Sequence, residues 1–271
     1  MTPFLCRTCG VQFAESAVPP AACPVCEDFR QYIGHQGQQW TTLPELRNAY
    51  SNQFTDLETG ITAIHTTPKF AIGQRALLVD HVLWDCLSVL DDATIEQVQQ
   101  RGGIEAIAIS HPHYYSSMIE WSEAFGNVPI LLHEDDRQWV MRPDPRIEFR
   151  TDETFAISPD LTLIRTGGHF EGAQVLHRRQ NGGALFTGDV IQVVPDRRWV
   201  SFMRSYPNLL PLPAQAVRRI VGAIEPFSFE RLYGAWPDFE ILSDAKSAVE
   251  RSAGRYIRSL REVLYEDVRP S

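Results

Sequence analysis

The chain has 271 residues, 44% hydrophobic and 22% charged, which are the proportions of an ordinary globular protein with room for one full α/β domain and a small appendage. A formal net charge of −9 argues against a nucleic-acid footprint. No apolar run approaches the ~20 residues of a membrane span. Met1-Thr2-Pro3-Phe4-Leu5-Cys6 has neither the basic nor the apolar region of a secretory signal. Four of the five cysteines stand in Cys-x-x-Cys pairs, which suit metal binding in a reducing compartment better than disulfides. The expectation is a cytoplasmic protein that contacts neither nucleic acid nor membrane.

Residues 1–34 carry Cys6-Arg7-Thr8-Cys9-Gly10 and Cys23-Pro24-Val25-Cys26. Each pair folds into a tight turn that aims two thiolates at one ion, and two turns complete a tetrahedral four-sulfur site. So small a segment has little core, and the ion supplies its folding energy. The spacing resembles zinc ribbons and the rubredoxin-like modules of rubrerythrins. Gly10 fits the rubredoxin pattern, whereas Glu27 stands where the second knuckle's glycine would be. Structural zinc is the preferred ion, with redox iron as the alternative.

Residues 35–60 read as a polar connector with one short helix, Leu43 to Tyr50. The domain of 61–271 opens with a strand, Ile61 to Thr66. Arg75–Val79 and Val82–Asp85 flank Asp80-His81 as a hairpin. A helix is predicted over Asp92–Arg101, then a buried strand over Gly103–Ile109. Helices at Met118–Phe125 and Glu134–Met141 bracket a strand, Pro129–Leu132. Four strands follow, at Phe155–Ile157, Leu161–Arg165, Ala173–His177 and Ala184–Phe186, and then a helix over Pro213–Ile224 with proline at its start. The last helix, Ile241 to about Leu264, groups Leu242, Ala245, Val249, Ala253, Tyr256, Ile257 and Leu260 on one face.

The buried strand ends in Ser110-His111-Pro112-His113-Tyr114-Tyr115-Ser116. Two histidines two apart on extended chain point to one side and can share a cation. Gly167-Gly168-His169 and Phe186-Thr187-Gly188-Asp189 each close a later strand. In this order the motifs resemble the metallo-β-lactamase superfamily, over roughly residues 61–271. The resemblance implies an αββα two-sheet sandwich with metal ligands His111, His113, His169 and Asp189. It also implies that Asp85 lies beneath the metal and orients a ligand histidine. The family writes His-x-His-x-Asp-His where this chain has Tyr115 and Ser116, and ends on a histidine where it has Ala235. Ligands private to a second metal are gone, so one metal, zinc or iron, is expected in the cleft.

Tyr115, with a phenol pKa near ~10, is a poor base but a competent hydrogen-bond donor to an oxyanion. Asp189 ligates, or bonds the nucleophilic water. Trp236 fills the volume beside Ala235 and borders the substrate, or only packs. Between Val193 and Pro207 runs a long loop with Arg204 and Tyr206, suited to a small anionic substrate or to packing over the sheet edge. Cys86 reads as a small buried hydrophobe, and His65, His81, His133 and His177 as structural.

The resulting expectation is a metallohydrolase acting on a thioester, ester or lactone, with glyoxalase II-like thioesterases as the nearest analogy. The alternatives are a mononuclear iron(II) oxygenase of the sulfur-dioxygenase type and a non-catalytic metal-binding module. Pairing with a second copy, as a homodimer, stays open.

Overall fold

Alternation and turn chemistry account for most of the strands in the computed structural model, which describes residues 1–260. The chain divides into two units, Met1–Thr151 and Asp152–Ser271.

The first unit begins with β1 (Phe4–Cys6), one helical turn α1 (Pro24–Glu27), β2 (Trp40–Thr42) and α2 (Leu43–Ala49). β1 and β2 pair antiparallel, so Cys6 faces Trp40. Thr42 and Glu45 close a reciprocal capping box at the start of α2. Leu5 packs with Leu43, Leu46, Phe70 and Val89, which joins the N-terminal segment to the residues behind it.

A seven-stranded sheet follows: β3 (Ser51–Glu58), β4 (Ile61–Thr67), β5 (Arg75–Val79), β6 (Val82–Trp84), β7 (Ala106–Ala108), β8 (Ile130–His133) and β9 (Ile147–Arg150). Strands β3 to β6 are antiparallel neighbours, and β6 to β9 run parallel. Parallel neighbours need crossovers. Helix α3 (Asp92–Gln100) and helix α4 (Met118–Ala124) make two of them, and a 3₁₀ segment, Glu134–Trp139, lies in the third. The β5–β6 hairpin turns on Asp80 at φ 52, as the two-residue spacing predicts.

In the second unit, β10 (Thr154–Ala156), β11 (Leu161–Arg165), β12 (Gln174–Arg178) and β13 (Ala184–Phe186) are antiparallel neighbours. Two small ladders come next, β14 (Gln192–Val193) with β15 (Val200–Ser201) and β16 (Met203–Ser205) with β17 (Leu210–Pro211). After α5 (Ala214–Ile224), β18 (Arg231–Tyr233) joins β13 in parallel, and β19 (Glu240–Ile241) completes six strands. Helix α6 (Ala245–Ser259) packs on α5, β15 and β18.

Several expectations are corrected. Residues 51–58 are not connector but the edge strand β3, whose outer face keeps polar side chains in water. Glu134–Trp139 is 3₁₀, not α-helix. The strand before His111 spans only three residues, because Gly102 and Gly103 turn at φ 102 and 79. The last helix starts at Ala245. Ile241 belongs to β19 and Leu242 is 64% exposed, so neither joins the helix's buried face. The end of that expected helix, 261–264, and the end of the expected domain lie outside the described residues.

Two glycines separate backbone strain from close approach. A methyl placed on Gly103 (φ 79) would meet nothing within 4 Å, whereas a Cβ on Gly183 (φ 83) would collide with the Ser228 carbonyl oxygen. Gly103→Ala should cost about 1–2 kcal/mol from positive φ alone. Gly183→Ala should cost well beyond that, because main chain must also move. Urea denaturation of both variants checks this, and equal losses would contradict the contact at Ser228.

Candidate metal centres

The first knuckle closes through main-chain hydrogen bonds from Gly10 N to the Cys6 carbonyl (2.8 Å) and from Cys6 N to the Val11 carbonyl (3.0 Å). Gly10 sits at φ 85, a conformation that favours glycine. The second knuckle continues as the turn α1, with Pro24 in its first turn. Residue 27 therefore needs no positive φ, and Glu27 is accommodated. The Cys6 and Cys26 sulfurs lie 3.5 Å apart, the Cys9 and Cys23 sulfurs 3.7 Å, and all four fall within 4.8 Å of one another. All are free and buried. Sulfurs at about 2.3 Å around a tetrahedral ion stand about 3.8 Å apart, so this donor set fits such an ion. Gln38 Nε2 donates to Cys6 Sγ at 3.2 Å. Hydrogen bonds from Cys23, Cys26 and Cys9 pull the Cys6 thiol below its ordinary range, while burial pushes Cys9 up.

The histidine motif is not a continuation of the strand. His111 is extended, but Pro112–Tyr114 form a 3₁₀ turn, so His113 is aimed by that turn and not by strand alternation. The two rings lie 5.1 Å apart, nearly perpendicular. Asp85 occupies the left-handed region at φ 61 and is 1% exposed. Its Oδ1 accepts from Ser110 N at 2.7 Å, and Ser110 Oγ hydrogen-bonds His111 Nδ1 at 2.8 Å. Asp85 thus acts on His111 through Ser110.

In the second unit, His169 follows Gly167 (φ 63) and Gly168 (φ 91). Its Nδ1 is 3.0 Å from the Met203 carbonyl. A carbonyl only accepts, so Nδ1 carries the proton and Nε2 the lone pair. Asp189 follows Gly188 (φ 50). Thr187 anchors that loop, with its N–H on the Tyr233 carbonyl and its hydroxyl on the Ile191 carbonyl. His111 and His113 in the first unit and His169 and Asp189 in the second are all buried, and each offers one ligand atom.

The other candidates divide by what they touch. Tyr115 is 3% exposed, and burial with the Asp136 and Asp85 charges keeps its phenol protonated. The Tyr206 hydroxyl donates to the carbonyls of Asp189 (3.1 Å) and Ser201 (3.5 Å), and its ring lies 6.0 Å from His169. Arg204 borders a cleft of about 310 Å³ with Gly168, Phe170, Glu171 and Arg219. Trp236 is half-buried beside the buried Ala235. The loop expected at 193–207 is tied down by strands of the two small ladders described above. Cys86 is fully buried and its thiol pushed well up. His177 is tied by Nε2 to the Ser228 carbonyl at 2.8 Å. Ser110 and Gln38 were not among the expected site residues, although Ser110 stood inside the motif. Nothing in the sequence could mark the Met203 carbonyl. Among the described residues, no helix is long and apolar enough to cross a membrane.

No family model matches the chain. The Bacillus subtilis (strain 168) protein YmaE, described as uncharacterized, is 48% identical over 274 residues, which cover 98% of this chain and 99% of YmaE. Among solved structures, the Pseudomonas aeruginosa metallo-β-lactamase FIM-1 in its mono-zinc form is similar at TM-score 0.57 and 14% identity, covering 77% of this chain and 96% of FIM-1. A metallo-β-lactamase from Pontibacter korlensis gives 0.54 at 15% identity, over 76% and 99% of the two chains. The chemotaxis sensor ODP, solved as a peroxy diiron species, gives 0.52 at 16% identity, over 78% and 99%. At these identities the likeness shows the fold, an α/β sandwich of the metallo-β-lactamase type, here with a four-cysteine cluster near its N-terminus. The chain belongs to the family of Bacillus subtilis YmaE, built on the metallo-β-lactamase fold.

Proposed function

We propose that the protein is a hydrolase of a thioester, ester or lactone, in which His111, His113, His169 and Asp189 would hold a single cleft metal and water would be the nucleophile that attacks the carbonyl. The observation that carries this reading is that each unit buries a pair of metal donors just past its strands, with the Nδ1 sides of His111 and His169 already engaged. Three imidazoles and a carboxylate suit zinc or iron(II). When bound, such an ion supplies Lewis acidity and lowers the pKa of water in its shell toward about 7.

The chain's own residues do the rest. Ser110 and the Met203 carbonyl fix the Nδ1 sides of His111 and His169, leaving Nε2 of each as donor. Asp189 completes the set or accepts a proton from the nucleophile. Tyr115 keeps its proton and donates a hydrogen bond to the developing oxyanion. The cleft beside Gly168 takes the substrate's anionic arm on Arg204, with Phe170 and Pro213 as apolar walls. Tyr206 and Trp236, which are not in its lining, border the substrate from outside it. The four-cysteine cluster holds structural zinc, and the substrate is a small molecule met in the cytoplasm. The mono-zinc form of FIM-1 supports one metal on this fold. The diiron ODP sensor keeps the iron(II) oxygenase reading as the rival.

Elemental analysis should give two ions per chain, one per cluster, and three would overturn the mononuclear reading. Zinc in both clusters with hydrolysis of a thioester or lactone panel supports the proposal. Iron with oxygen-dependent turnover would replace it with the oxygenase, and an empty histidine cluster with the binding module. A red chain with thiolate-to-iron absorption would replace structural zinc by a rubredoxin-like centre.

His169→Ala should lose one ion and all hydrolysis. Tyr115→Phe should keep both ions while kcat falls by ~10²-fold. Wild-type turnover in Tyr115→Phe would reduce that residue to packing.

A further inference from the structure

The stretch of chain that closes the first cysteine knuckle also lies against the loop that carries His111 and His113. Past Cys9 the chain turns at Gly10 and returns as Val11 and Gln12, both buried. The Gln12 main-chain N–H donates to the Tyr115 carbonyl at 3.3 Å. Its side chain is held on both ends: Nε2 donates to Glu120 Oε1 at 2.9 Å, and Oε1 accepts from Arg142, which also pairs with Glu120 at 2.6 Å. Ser88 bridges the other side. Its hydroxyl donates to the Gly10 carbonyl at 3.3 Å, and its carbonyl accepts from the Ser117 hydroxyl at 2.8 Å. A Cβ added to Gly10 would fall 2.8 Å from Ser88 Oγ and 4.0 Å from Ser116 Cβ. Tyr115 is therefore met directly by the cysteine module, Ser116 lies beside Gly10, and Ser117 is reached from Gly10 through Ser88.

That contact matters because of what orders each partner. The histidine loop has only one 3₁₀ turn of its own between β7 and α4. The cysteine module has a small core, and its turns are set by drawing four buried sulfurs together. We propose that Gly10 and Gln12 are positioning residues for the histidine pair, so that filling the four-cysteine cluster raises the affinity of the histidine cluster for its metal. The inference rests on the reading of His111, His113, His169 and Asp189 as a metal site. By linkage the dependence is reciprocal.

Cobalt(II) titration of the full chain tests it, since thiolate-to-cobalt charge transfer reports the cysteine cluster, and visible d–d bands without it report the histidine cluster. Gln12→Ala and Gly10→Val should keep cobalt on the cysteines while affinity at the histidines falls by ~10-fold or more, the usual loss when a ligand's outer support is removed. Cys9→Ser should lower it further. Asp91→Ala, which removes the cap of α3 away from this contact, should leave it at the wild-type value. Wild-type histidine-site affinity in a folded Gln12→Ala chain overturns the proposal, even if Gly10→Val and Cys9→Ser fail to fold. An equal loss in Asp91→Ala also overturns it, because the effect would then be general stability. No cobalt at the histidines of the wild-type chain sinks both this inference and the functional reading. Cobalt behaviour as expected with no turnover of any ester, thioester or lactone supports this inference and sinks only the functional one.

Discussion

The four candidate ligands stand three to five residues beyond the strands that precede them, and left-handed backbone shapes the turns around them. Asp85 (φ 61) follows β6, Gly167 and Gly168 (φ 63 and 91) follow β11, and Gly188 (φ 50) follows β13. At glycine this conformation carries no Cβ penalty. At Asp85 it costs about 1–2 kcal/mol, offset by the hydrogen bond its carboxylate accepts from Ser110 N at 2.7 Å. The residue that bends the chain also fixes the next loop, and Ser110 passes that order to His111.

The two clusters differ in donor chemistry. Four sulfurs form a soft set whose 3.5 and 3.7 Å spacings are far longer than a disulfide bond of about 2.05 Å. Three imidazoles with one carboxylate form a borderline set, and two of the rings have their Nδ1 sides already engaged. Hydrogen bonds behind a ligand raise its basicity and hold its plane, so the geometry is prepared before any ion arrives.

How much could be read in advance follows from the range of each interaction. The hairpin at Arg75–Trp84 was legible because its turn and both strands are local. So were α5, which begins after Pro213, and the paired cysteine turns. Strand β3 was missed because an edge strand with one wet face has the composition of a connector. The helical period of the last helix runs back through Leu242 in the sequence, but Glu240–Ile241 pair as β19 and the helix begins only at Ala245. The ladders between Gln192 and Pro211 are two or three residues long, too short to leave a period.

The sequence by itself determined the inventory of donors and their order, because residue type carries that chemistry directly, whereas Tyr115, Ser116 and Ala235 take their meaning only from the resemblance to the family's motif. Tertiary structure alone decided how those donors are held. His169 leans on the carbonyl of Met203, 34 residues away, and Gln12 meets the carbonyl of Tyr115. The Tyr206 hydroxyl rests on the carbonyl of Asp189. Every residue has a carbonyl, so no letter in the sequence marks the ones that matter, and only the folded path of the chain selects them.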